Sequence, residues 1–277
     1  MAMRKTASVS LTFAGAMVNI PVGMYKAVAE KDLKFNNLHT ECGSQVKMKR
    51  YCPTCQPAGD GPELTQDALV KGYLISKGNF VKLDDNDFAS VPIDTLKAIE
   101  IEEFVNKDRL IDPRYFEESY FIAPEPTGAK IFSLLFQAAE KMGAVAVCKM
   151  VLREKEHIGA LRPFKDGIFL LQTLYYSDEL KDHSELKQNA IAASEKELGM
   201  ASKLIEALMS EELDLTKYKD NYREALTTLI EKKAAGEIIT PVAKAEAPVG
   251  DGMDALAAAI DILAENKKVK AKAKAKA

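Results

Sequence analysis

Three cysteines and one histidine fall within seventeen residues, in the order His39-x2-Cys42-x9-Cys52-x2-Cys55. Thiolate sulfur and imidazole nitrogen are the ligands that a tetrahedral Zn2+ prefers, and two short-spaced pairs across a loop match a structural zinc knuckle. The loop between the pairs carries Lys47, Lys49, Arg50 and Tyr51. A metal-held loop would therefore present cations beside an aromatic ring, a combination suited to nucleic acid.

The same residues invite two other chemistries. A redox Cys-x-x-Cys pair is one, but no thioredoxin-like βαβ pattern surrounds it. The other is a zinc deaminase, because His39-Thr40-Glu41 with Cys52-x-x-Cys55 echoes the H-x-E and P-C-x-x-C signature in which the Glu shuttles protons. Three features oppose it. Tyr51 stands where that signature has proline, the separation is too short for the intervening strand and loop, and Cys42 fills the ligand position a catalytic water would need. Elsewhere there is no phosphate-cradling Gly-x-x-x-x-Gly-Lys and no Gly-x-Ser-x-Gly elbow. Only three histidines are present, and His157 and His183 have no partners in sequence. The chain reads as a binding protein with a structural metal, not as an enzyme.

These side chains need a scaffold, and 277 residues with 47% hydrophobic content can build one large domain or two modest ones. Cys148, the one cysteine outside the cluster, lies in the apolar run Ala144–Leu152 and reads as a buried free thiol. That disfavours a disulfide framework and points to a reducing, cytoplasmic setting. Residues 7–16 superficially imitate a signal peptide, but Val9, Leu11 and Phe13 alternate with Ser8, Ser10 and Thr12 at the period of a strand. No membrane association is expected. The net charge is −3, yet Lys and Arg dominate as far as Cys55, an acidic middle follows, and the chain ends on alternating Lys and Ala. Such polarity suits one cationic face and an outer surface that repels DNA.

Strand signals fill the first 175 or so residues. Asn19-Ile20-Pro21 reads as a turn, with extended structure resuming over 22–28. Residues 56–62 are loop. Short strands are expected at 69–70, 73–75 and 80–83, with a hairpin turn at Gly78-Asn79. Further strands are expected at 98–105, 120–123, 144–152, 158–161 and 167–176. One helix interrupts them, with Ile131, Leu134, Leu135 and Ala138 at helical steps and a stop at Gly143. Many short strands with one peripheral helix predict a β-barrel in a mainly β, α+β chain. Beyond Ser177 the period becomes helical. Ser194-x-x-Glu197 is a capping box ahead of Leu198, Ala201, Ile205 and Leu208, and a second helix carries Tyr218, Tyr222, Leu226 and Leu229. The expected divisions are a barrel with its knuckle over 1–180, a helical arm over 181–237, a Pro/Ala/Gly linker over 238–252, and a terminal segment over 253–277. In that last segment Met253, Leu256, Ile260 and Leu263 share one helical face before the Lys-Ala tail.

Lys149, Arg153, Lys155 and Arg162 flank the strand pair over 144–161 and are the second candidate set of phosphate-contacting cations, beside Lys47, Lys49 and Arg50. Phe35-Asn-Asn-Leu-His39, Lys49-Arg-Tyr-Cys-Pro-Thr-Cys55, Val70-Lys-Gly-Tyr73, Ile99-Glu-Ile-Glu-Glu-Phe104, Ile111-Asp-Pro-Arg-Tyr-Phe116, Val151-Leu-Arg-Glu-Lys-Glu-His-Ile-Gly-Ala-Leu-Arg-Pro163 and Lys217-Tyr-Lys-Asp-Asn-Tyr222 resemble the prokaryotic Ku proteins, bacterial or phage, in order along residues 7–236. The resemblance implies a homodimer in which each subunit gives a β-barrel and an extended bridge to a ring around a double-stranded DNA end. It implies a part in non-homologous end joining, recruitment of an ATP-dependent DNA repair ligase, and no catalysis by the protein itself. Met253-Asp-Ala-Leu256 is similar to the short C-terminal segment of that family, which makes the terminal amphipathic face the expected ligase contact. The expectation from the cluster alone, a zinc-ribbon module that docks on DNA without needing an end, is the alternative.

Overall fold

The computed structural model describes residues 3–237, apart from 14–16, 60, 92–97, 110–111, 154, 185 and 187–192. Met253, Leu256, Ile260, Leu263 and the Lys-Ala tail lie outside the described residues. The chain divides into two compact units, Met1–Asp182 and His183–Ala277.

In chain order the first unit contains β1 (Ala7–Phe13), β2 (Val18–Lys26), β3 (Lys71–Ser76), β4 (Asn79–Leu83), the short helix α1 (Asp85–Ala89), β5 (Ala98–Asn106), β6 (Phe116–Pro124), helix α2 (Ala129–Met142), β7 (Ala144–Leu152), β8 (Lys155–Pro163) and β9 (Phe169–Leu174). Seven of these strands close into a barrel in the order β1-β2-β6-β9-β8-β7-β5. Every junction is antiparallel except the closing one, where β5 runs parallel to β1 with Leu11 beside Ile99. Closure removes the exposed edges that an open sheet would present.

Alternation decides which residues face inward. Leu11, Ile20, Val22, Met24, Ile99, Ile122, Cys148, Met150, Leu161 and Leu171 are sealed in the barrel. Cys148 donates to the Gly159 carbonyl at 3.3 Å, and burial pushes its thiol up to about 12, so it is the inert free thiol that its neighbours in sequence require. At Gly159 there is no room for a side chain. A Cβ would run into Met150 Cε and stand 2.9 Å from Leu171 Cδ1 and 3.1 Å from Cys148 Sγ.

Helix α2 caps the barrel end where β6 finishes and β7 and β9 begin. Its Phe132 and Phe136 are buried, and their rings meet Phe169 edge-on at 5.2 and 5.4 Å. Such T-shaped pairs add to the area they bury. The helix ends where expected, on a left-handed Gly143 with φ of 58°.

Two sequence expectations shift locally. Residues 69–70 are not strand but follow a single helical turn at Gln66–Ala68. Residues 19–21 are not a turn; they belong to β2, where Pro21 pairs with Ser10 and its carbonyl accepts from Glu125 N–H. Sealing Ile20 and Val22 on either side of Pro21 outweighs the one N–H that proline lacks.

The second unit contains α3 (Glu195–Leu208) and α4 (Asn221–Ala234). The Ser194 hydroxyl accepts from Glu197 N–H while the Glu197 carboxylate accepts from Ser194 N–H, forming the reciprocal box. Neither helix buries a residue. Among the described residues no helix is long and apolar enough to cross a membrane.

Candidate nucleic-acid interface

The knuckle is built from two tight turns. A bridge between Leu38 and Gln45, with Gly43 N–H donating to the His39 carbonyl, folds His39 onto Cys42, and Nδ1 lies 3.2 Å from Sγ. Gly43 takes a φ of 68°, the left-handed geometry that this turn needs. Cys52 and Cys55 form the second pair and share a hydrogen bond. Hydrogen bonds from Ser44, then His39, pull the Cys42 thiol down to about 7, and N–H groups of Cys55 and Thr54 pull Cys52 down as well. Hydrogen bonding thus favours the thiolate form of both, whereas the bond to Cys52 pushes the Cys55 thiol up. The donor types and spacing fit zinc, but the pairs are formed only within themselves: among the described residues no three His, Cys, Asp or Glu side chains converge.

Two of the three loop cations are held by neutral groups. Lys49 Nζ donates to the carbonyls of Gly59 and Gly61, and Arg50 Nη1 donates to Gln66 Oε1 at 2.9 Å. Lys47 makes no hydrogen bond or ion pair among the described residues. These three positive charges meet no carboxylate, so all three are available to phosphate.

The barrel cations are situated otherwise. Lys149 faces outward on β7, opposite Glu100 of β5, and pairs with Glu102 at 3.4 Å. Lys155 pairs with Glu179 at 3.1 Å. Arg153 sits in the β7–β8 turn with a φ of 53° and helps to hold the Glu118 carboxyl below its ordinary value, after the larger effect of the Tyr120 hydroxyl. That tyrosine belongs to a polar barrel mouth. It donates to Glu118, and burial followed by this bond pushes it up to about 12. Thr173, buried beside it, donates to Glu117 at 3.2 Å. Arg162, on β8, rests over the Phe116 ring at 5.2 Å and has no acidic partner among the described residues.

Sequence reasoning did not foresee the extent of bare apolar surface. On the β3–β4 hairpin Tyr73, Ile75 and Phe80 are 68%, 62% and 60% exposed. A two-stranded hairpin with both faces bare is marginal by itself. On α3 and α4, Leu198, Ile205, Leu208, Tyr222 and Ile230 are likewise exposed.

Residues 14–200 match the sequence model of the Ku family, described as the Ku70/Ku80 beta-barrel domain, and the closed seven-strand barrel is the architecture which that description names. The chain is 39% identical over 256 residues to the non-homologous end joining protein Ku of Symbiobacterium thermophilum, covering 90% of this chain and 61% of that protein. It is 38% identical over 263 residues to the protein of the same name from Archaeoglobus fulgidus, covering 94% of this chain and 97% of its relative. A third, from Frankia casuarinae, is 38% identical, and this chain covers 60% of it. The chain thus spans about three-fifths of the length of the Symbiobacterium and Frankia proteins. This chain belongs to the Ku family.

Proposed function

We propose that the protein binds double-stranded DNA ends without regard to sequence, as a ring-shaped homodimer acting in non-homologous end joining in the cytoplasm. Family membership carries the reading, and the charge distribution agrees with it. Breaks occur anywhere, so a break-binding protein must contact phosphates rather than base edges. A ring retains DNA by topology and needs few strong contacts, which lets an acidic chain hold a polyanion through a few uncompensated cations. Lys47, Lys49, Arg50, Arg153 and Arg162 are the candidates for those contacts, whereas Lys149 and Lys155, which the sequence offered beside them, are each paired with a carboxylate.

The bare apolar residues of the β3–β4 hairpin and of α3 and α4 support the homodimer, since apolar surface of that extent on an isolated chain marks an interaction site. The protein catalyses nothing in this account. It shields the ends and brings an ATP-dependent DNA ligase, with Met253, Leu256, Ile260 and Leu263 as the helical face offered to that enzyme. Loading is the test: the protein should bind a relaxed duplex circle only after a single cut makes it linear. Equal affinity before and after the cut contradicts threading.

Zinc held by His39, Cys42, Cys52 and Cys55 would cross-link the two turns of the knuckle and supply no reaction chemistry. Cys52→Ser should then abolish tight zinc binding and lower the melting temperature of the zinc-loaded protein, because structural zinc binding is coupled to folding. Unchanged metal content by atomic emission, with unchanged melting, removes zinc from the account.

A further inference from the structure

Arg162 is a guanidinium without a hydrogen bond. Among the described residues its Nε and Nη2 are closed off from solvent and have no acceptor, and no other hydrogen bond or ion pair engages the side chain, so Nη1 is the nitrogen left at the surface. Burial lowers its pKa from the usual arginine value. It stands opposite Leu170 of β9 and beside an outward-facing apolar group made of Val145, Ala160 and Leu174, with Tyr115 and Phe116 packed against them. None of these residues can compensate a positive charge.

That arrangement is costly. A desolvated cation needs an anion, and replacing such a charge by an apolar side chain of similar size usually stabilises a protein. Two other barrel cations show the contrast: Lys149 and Lys155 each have a carboxylate within 3.4 Å. The guanidinium nevertheless rests over the Phe116 ring at 5.2 Å with two of its nitrogens buried, so little side-chain entropy remains to be lost when an anion arrives. A guanidinium so held, with no carboxylate of the described residues beside it, is suited to take an anion from outside the chain.

On the reading of the protein as a DNA-end binder, we infer that Arg162 is the barrel residue that grips a backbone phosphate, through Nη1, while Lys149 and Lys155 serve their own carboxylates. A carboxylate of a second copy of the chain is the competing anion. Phosphate is favoured because it is the anion that a ring closed on duplex DNA brings past the barrel in quantity.

The test uses the full chain and linear duplex, and measures log K against log salt together with melting and sedimentation of the free protein. Arg162→Met, present in both subunits of the ring, should make the salt slope less negative by roughly 1.8, two neutralised phosphates at about 0.9 each, and should raise the melting temperature as the uncompensated charge disappears. Lys149→Met and Lys155→Met should leave the slope unchanged. An unchanged slope with a lower melting temperature makes Arg162 a packing residue stacked on Phe116 and overturns the inference. An unchanged slope with altered sedimentation assigns the guanidinium to a second copy's carboxylate and overturns it equally. Should Arg162→Met fail to fold, Arg162→Gln reads the same slope, and an unchanged value there is again decisive. If the wild-type chain itself shows no salt-dependent binding to linear duplex, the DNA reading fails first and the inference falls with it.

Discussion

Replacing Lys47, Lys49 and Arg50 together by Gln, in both subunits of the ring, should make the slope of log K against log salt less negative by roughly 5.4, six phosphates at about 0.9 each. Over a fourfold rise in salt the wild type would then lose roughly two-thousand-fold more affinity than the variant. The effect is expected to be large because these three cations meet neutral acceptors or none, so no internal ion pair must be broken when DNA arrives. Lys49 and Arg50 are also held in place by Gly59, Gly61 and Gln66, which restricts the side chains before binding. Metal content and melting of the variant separate a lost contact from a loosened loop. A slope within about 0.5 of the wild type, on a folded protein, excludes the knuckle from the DNA contact.

The largest stability effect should come from Gly159→Val. A Cβ at this position already collides with Met150, Leu171 and Cys148, all sealed in the barrel, and the two added methyls have nowhere to go. Overpacking of this kind costs about 3 kcal/mol, or a fall in melting temperature of roughly 6–12 °C for a domain of this size. Gly167→Ala is the control. Gly167 has a φ of 73° with nothing within 4 Å of its Cβ position, so alanine there meets backbone strain but no crowding and should cost about 1 kcal/mol. Equal melting for the two variants would mean that the barrel interior yields, contrary to its packing.

Much of this fold was legible because the deciding signals are local. The two-residue alternation of Val9, Leu11 and Phe13 places β1, the Ser194–Glu197 box starts α3, and Gly143 stops α2. What sequence could not reveal depends on pairing between distant strands. The parallel closure of β5 on β1 leaves no trace in either strand. Helix α1 is only five residues long, and its capping aspartates Asp84 and Asp87 read as part of an acidic run.

The same limit governs the site. Lys49 and Arg50 stand out as cations between ligand pairs, and the structure leaves them without carboxylates. Lys149 looks equally available in sequence, yet its neutralising partner Glu102 lies on β5 and reaches it beside a bulge between Ile101 and Glu103. Arg162 differs from Lys155 only in what the barrel sets around it. A count of basic residues ranks the two alike, whereas their surroundings set them apart.

Encirclement is most directly tested by trapping. The protein is loaded on linear duplex, the ends are joined enzymatically to close the circle, and the sample is washed at high salt. The account predicts that protein stays on the closed circle through a wash that strips it from an otherwise identical linear duplex, and that a cut in the circle releases it. Release from closed and linear DNA at the same salt would contradict a ring.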